Sequence, residues 1–591
     1  MKKLHIILTI MICMSYRGDC TNYFVSSSLG NDNWTGRLAT PNASRTDGPK
    51  NSLQALTNLV ERTAIVGDSV WMRKGDQWTT TNGLVFSSAH GTTQHNKFVG
   101  AYGTGNLPVI FMDVPGNVIT FRGFDDTPTS YFHMRDIEVN TRATTNRPTG
   151  IWVGESWYPN KPHHILLDGL HIKNCSNGMI LYDRDIIVQN CLIMDNGNNN
   201  TGQGIFCSAR NVILRNNVLD NNGSGSVFVH SMYISQTDSV LIEGNEIKNA
   251  DDGLKLRTTN NLIVRNNIIH DTRIHTIHLG GDEGGGMRNA IIEGNIVYNA
   301  PQGLRIASES GNQTQLTENV IVRNNIFPAM VHISNNGPVK DLFIFNNLLH
   351  STTDQPSLFL CQAIQPNNLQ IRNNIFYKNN ANSGHSLLLF QSTSGFSGIS
   401  LSHNLYHFPE QSENIITIGN TNYKNLNSFR NQYPLQENNG QHGDPLFMNP
   451  PQDFHLSANS ILAIDQGANL SGIVDLDFDG GSRPQDGDGL GGAAWDIGPF
   501  EFCCVSSIAQ DSKRDPEVWI APNPVQDRLQ VFHSGISIQK ITIYNMLGKE
   551  MMSIDAKDEM TEINLSELPS GFYLLRHIST DKTIGGISFV K

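Results

Sequence analysis

The stretch NADDGLKLR, residues 249–257, sets Asp251 and Asp252 just ahead of Lys255 and Arg257. These are materials for proton transfer and anion binding. A carboxylate takes or gives a proton, a lysine crowded by another cation loses its proton nearer neutral pH, and arginine forks onto carboxylates. Two later stretches add to the set. IHTIHLGGDEGGGMR (274–288) brings His275, His278, Asp282 and Glu283, and GLRIAS (303–308) brings Arg305. In each stretch apolar residues flank the polar one at alternate positions, so a strand would turn Leu254 and Leu256 inward and Lys255 and Arg257 outward.

The elements that position these residues repeat along the chain. From about residue 165 to 406 the units IIVQNCLI, VILRNNVL, VLIEGNEI, LIVRNNII, AIIEGNIV, VIVRNNIF, LFIFNNLL, LQIRNNIF and ISLSHNLY recur, with their last small residue at Asn190, Asn217, Asn245, Asn267, Asn295, Asn325, Asn347, Asn374 and Asn404. Spacings of 22 to 30 residues with short alternating strands mark a solenoid, and stacked asparagines form a hydrogen-bonded ladder at its turn. A second strand follows each asparagine. Aligning these strands gives an outward column of Ile180, Phe206, Tyr233, Lys255, His278, Arg305, His332, Phe359 and Leu388. Neighbours in it are expected about 5 Å apart, so one extended sugar chain could touch several at once. Arg257, His332, Phe206 and Phe359 are the expected substrate-binding residues around this cleft. The glycines of GGDEGGGMR would let backbone approach a ligand closely.

Composition narrows the partners. Charged residues make up 16% of the 591-residue chain, which suits a turn-rich β-protein, and the net charge of −12 argues against a nucleic-acid partner, which needs a basic face. The first twenty residues, two lysines followed by an apolar stretch, read as a signal peptide, and no later segment is apolar enough to span a membrane. The eight cysteines show no paired CxxC spacing, so neither zinc nor a disulfide scaffold is expected. Residues 21–502 are expected to form the solenoid with its caps, and 503–518 a polar, aperiodic linker. Within the closing region DLDFDGG sets Asp475, Asp477 and Asp479 at alternate positions, like the start of a calcium loop without its twelfth ligand.

The repeat resembles a right-handed parallel β-helix of the pectate-lyase-like superfamily. NYFVSSSLGNDNWTG, GDSVWMRKGDQW and DLDFDGGSRPQDGDGLGGAAWDIGPFEF look like the opening and closing modules of secreted bacterial members that act on polysaccharides, which implies caps over the ends of the stack. Residues 519–591, with APNP, ITIYNMLGKEM and INLSELPSGFYLLRH, alternate like a small β-sandwich and resemble the C-terminal sorting domain of the type IX secretion system. That resemblance implies a Bacteroidetes-type bacterium, export through the type IX machinery, and removal of the domain on release or surface attachment.

A basic column flanked by acids resembles what β-helix polysaccharide lyases display. Lys255 is then the base of a β-elimination on a uronate polymer, its pKa lowered by Arg257 and Arg305. Arg305, or a calcium ion held by Asp251, Asp252, Asp282 and Glu283, pairs the carboxylate, and His278 or Tyr233 delivers the proton. The same stretches also resemble polygalacturonase-type hydrolases, with Asp251 and Asp252 as the acidic pair, His275 as the histidine and Arg305 as the uronate-binding arginine. Against that, His230 or Ser231 stands where the remaining aspartate belongs, Thr276 replaces the glycine and Ala307 the lysine. A non-catalytic glycan-binding protein or adhesin would lean on aromatic platforms, of which the column offers Phe206, Tyr233 and Phe359.

Overall fold

In the computed structural model the described residues are 20–502 and 518–590, apart from short stretches of which 155–160, 352–356 and 380–384 are the longest. The expected signal peptide and linker lie outside the described residues.

The long N-terminal region is a parallel β-helix, as the repeat predicts. Each coil has a long strand, a tight turn, a short strand and a third strand. One such coil is Arg210–Arg215, Val218–Asp220 and His230–Glu243, the last running through a corner into the next coil's long strand. The short strands stack into one fourteen-stranded sheet, while the long and third strands are joined into a sheet of twenty-six. Pairing along the stack is parallel until Ile416–Ile418 and Thr421–Tyr423 form an antiparallel pair near its end. Inward positions are filled in register: Met232, Leu254, Ile277, Leu304 and Val331 lie one above another, all fully buried.

The ladder holds the turns together. The backbone N–H and side-chain Nδ2 of each ladder asparagine donate to Oδ1 of the asparagine one coil further on, as Asn245 does to Asn267 at 2.9 and 3.0 Å. The series runs from Asn217 to Asn404, and Glu437 accepts the last pair of bonds. Asn190 is not part of it. It occupies the left-handed position just before the ladder residue (φ 55°), where other coils place Asn216, Gly244 or Asn266, and Cys191 fills the ladder position, its N–H donating to Asn217.

Both ends are closed. The helix Leu53–Asn58, capped by Ser52, buries Leu56 at one end, and Leu426–Gln432, capped by Asn425, buries Phe429 at the other. The closing module departs from the expected end cap. Phe447, Phe454, Ile497 and Phe500 pack on Ile326, Leu348, Ile375 and Leu405, so this segment covers the outer flank of the short-strand sheet. Its aspartates are separately engaged: Asp475 accepts from Gly472 N–H, Asp477 from Gly481 and Glu501 N–H, and Asp479 pairs with His455. Residues 518–590 form two antiparallel sheets, of three and four strands, whose apolar residues share one core that includes Val531, Ile541, Ile563 and Leu575.

Candidate functional site

The third strands build the outward column that the alternation predicts. Phe206, Tyr233, Lys255, His278, Arg305 and His332 are directly paired in six successive coils. Beyond His332 the register differs: Leu360 follows it, and Phe359 pairs with Val331 and lies fully buried in the core. Phe359 is therefore a packing residue, and Leu388, paired with Phe359, faces inward with it. Gly253 is required here, because a Cβ on it would meet the Thr276 carbonyl oxygen at 2.6 Å.

Lys255, His278 and Arg257 form a linked triplet. Lys255 Nζ lies 2.9 Å from His278 Nδ1, and Arg257 Nη2 lies 3.2 Å from His278 Nε2. A guanidinium can only donate, so Nε2 must accept and the ring proton sits on Nδ1. That proton points at Lys255, which can accept it only as a free amine. An ammonium at Lys255 would instead force an N–H on Nε2 against the N–H of Arg257. The electrostatics agree: burial, and then Arg257, bring Lys255 down to about 8. Burial, Lys255 and Arg257 also hold His278 neutral by driving its pKa far down. The expected cause, crowding by Arg257 and Arg305, is real but second to burial. Arg257 is anchored by donating to the carbonyls of Ala307 and Gly281.

A second chain runs beneath the column. Arg305 Nη1 donates to His275 Nε2 at 3.0 Å, and His275 Nδ1 donates to Asp252 Oδ1 at 2.9 Å. Asp252 is 1% exposed, and its other oxygen faces His230 Nε2 at 3.5 Å. Burial lowers His230 to about 4, while the Asp252 carboxylate pulls it back up. Asp252 thus orients His275 and, through it, Arg305. Tyr233 stands edge-on to Phe206, 5.6 Å between ring centres, and burial raises its phenol, which keeps its proton. His332 Nε2 bonds Gln362 Oε1 at 2.7 Å.

The four acids expected to hold calcium do not converge. Asp251 accepts from Gly225 and Ser226 N–H and from Arg273, ahead of the third strand. Asp282 accepts from Thr258, Ser235 and Gly284 N–H past the far end of the neighbouring strand. The strand between them advances about 3.3 Å per residue, which puts the two carboxylates well beyond one ion's reach. Asp252 is taken up by histidines, and Glu283 is exposed. This donor set does not fit calcium. Sequence reasoning missed Gln203, which accepts from His230, Gln362, and Glu309, whose charge favours the cationic forms of Lys255 and Arg257. Gln362, two residues beyond Leu360, becomes visible only with the corrected register.

Family comparisons agree with the architecture. Residues 229–353 match the right handed beta helix region, 114–284 the periplasmic copper-binding protein NosD family, and 519–585 the secretion system C-terminal sorting domain. The chain contains a right-handed parallel β-helix. It carries a sorting domain that marks it for export. No curated protein matches the chain. Among solved structures, the mannuronic acid specific polysaccharide family 6 lyase from human gut microbiota is 12% identical, covering 64% of this chain and 91% of its own, with a TM-score of 0.41. Pectate lyase Pel9A is 12% identical over 82% of this chain and 98% of its own, at 0.40. The alginate lyase of Paenibacillus sp. FPU-7 is 14% identical over 49% and 92%, at 0.34. Likenesses of this size say nothing about the chemistry of the cleft. Among the described residues no helix is long and apolar enough to cross a membrane.

Proposed function

We propose that the cleft binds an extended uronate polysaccharide and cleaves it by β-elimination, with Lys255 as the base. The observation that carries this reading is the Arg257–His278–Lys255 triplet, which is satisfied in full only when Lys255 is a free amine. Lys255 Nζ turns its lone pair from the Nδ1–H of His278 to the substrate and takes the proton from C5 of the uronate, the C5–H electrons become the C4=C5 double bond, and the C4–O bond breaks. The leaving oxygen takes the phenolic proton of Tyr233. Arg305, held by His275 and Asp252, pairs the carboxylate and stabilises the charge that develops on it. His278 and Arg257 position the base, and Phe206 and His332 border the groove on either side. The chemistry as drawn uses side chains alone, and no step passes through calcium.

Hydrolysis needs two opposed carboxylates. Asp252 is buried under His230 and His275, and Asp251 is held by Arg273, so neither supports that alternative. The test is a screen of the exported protein against uronate polymers, following new double bonds and new reducing ends with and without a chelator. Both signals rising together, unaffected by the chelator, is the expected result. Reducing ends alone would replace elimination with hydrolysis, and binding without cleavage would make the protein an adhesin. The sorting domain supports export by the type IX machinery to the surface or medium of a Bacteroidetes-type cell.

A further inference from the structure

Away from the cleft, at the corner that opens the long strand His163–Asp168, the chain places two adjacent histidines. Neighbouring residues in a regular strand point to opposite faces and cannot share a ligand. Here His164 is left-handed (φ 55°), and that break turns both rings to one side, with Nδ1 of His163 2.6 Å from Nδ1 of His164. Asp185 stands at the equivalent left-handed corner one coil on (φ 57°), its Oδ2 3.6 Å from His164 Nδ1. The donor atoms of all three residues lie within 4.8 Å of one another.

We propose that His163, His164 and Asp185 form a binding site for a divalent first-row transition ion, with zinc as its simplest occupant. The set of two imidazoles and one carboxylate, plus a solvent position, is the composition of an open tetrahedral site. A tetrahedral ion with bonds of about 2.0–2.1 Å separates its donors by roughly 3.3 Å, between the two distances found here. The facing nitrogens need something between them, since two imidazole lone pairs 2.6 Å apart repel unless a proton or cation is shared.

The surroundings hold the ligands in place. Tyr131, at the same corner one coil earlier, stacks on the His164 ring with centres 4.3 Å apart. Asn211, one coil beyond Asp185, donates Nδ2 to Asp185 Oδ1 at 3.1 Å, which leaves Oδ2 for the site. Arg184 Nε lies 3.5 Å from that Oδ2 on a side chain 52% exposed, free to swing into solvent when an ion enters. Later coils place small polar residues at this corner, among them Asn211, Ser239, Asn261 and Asp341, so a histidine there is a departure from the repeat.

The experiment is calorimetric titration of the chelator-stripped full chain with zinc chloride near neutral pH. The variants are His163→Ser, His164→Asn and Asp185→Asn, with His278→Asn as a control. Ser130 stands at the first histidine position one coil earlier and Asn211 at the second two coils on, which protects the fold. Expected is one zinc equivalent whose affinity falls about tenfold or more in each corner variant and is unchanged by His278→Asn. X-ray absorption of the loaded protein is expected to show two imidazoles on the ion. The proposal is overturned if the parent binds no zinc at submillimolar concentration, if the corner variants bind like the parent, or if binding is lost with His278→Asn.

Discussion

Lys255 is the residue on which the elimination reading turns. Replacing it with Met keeps most of the buried volume and removes the base, and the expected loss is about a hundredfold to ten-thousandfold in turnover with the fold intact. A steady-state assay with a circular dichroism spectrum checks both halves. The pH dependence follows from the same amine. Its folded pKa is lowered to about 8, so turnover is expected to rise with pH as the free amine forms and to level off above that value. Arg257→Gln removes a cation that favours the free amine, and the limb should move to higher pH. An unshifted profile would show that burial alone sets the base. The column was legible in the sequence because Leu254–Lys255–Leu256 and Leu304–Arg305–Ile306 alternate cleanly. SLFLC offers no such mark, since Leu358, Phe359 and Leu360 are all apolar and the stretch fits either of two registers one residue apart. The bonds of Asp252 to His230 and His275 arise from coils brought together by folding, and no local pattern announces them.

At the scale of the element, the ladder was legible as a period and not as a chain of bonds. QNCLI and RNNVL look alike because Asn190 and Cys191 are both small, and only the left-handed turn separates their roles. Asn295→Ala would leave the N–H of Asn267 without an acceptor in a buried turn, while its Nδ2 would keep the carbonyls of Ile242 and Arg265. We expect a loss of about 2 kcal/mol, from the cost of an unsatisfied buried donor, measured by chemical denaturation. The end of the ladder gives a second prediction. Glu437 is fully buried, and burial raises it to about 7 in the folded chain. The folded state therefore binds the proton more tightly than the unfolded one, whose carboxyl titrates near 4.5. Its contribution to stability is present below the unfolded value and is lost as pH rises through about 7. Glu437→Gln keeps an acceptor for Asn404 and should flatten this dependence in thermal melts at several pH values.

For the whole molecule, the order of parts sets the order of events. A β-helix followed by a sorting domain is expected to reach the outside of the cell with the second part removed, so the exported form should end between residues 503 and 518. Intact mass measurement of the secreted or surface protein checks this, and a species that still includes Lys591 would contradict it. The closing module was legible as a segment but not in its placement, because Phe447, Phe454 and Phe500 read equally well as a lid for the end of the stack or a cover for its side. The ladder has one more consequence. Every rung gives in one direction and takes from the other, from Cys191 through Asn404 to Glu437. A duplicated coil that brings its own asparagine could be spliced in between any two rungs without reversing a bond, and the groove would gain one side chain. If the cleft takes an extended glycan as proposed, the length it grips can change by whole coils while the residues that do the chemistry stay the same.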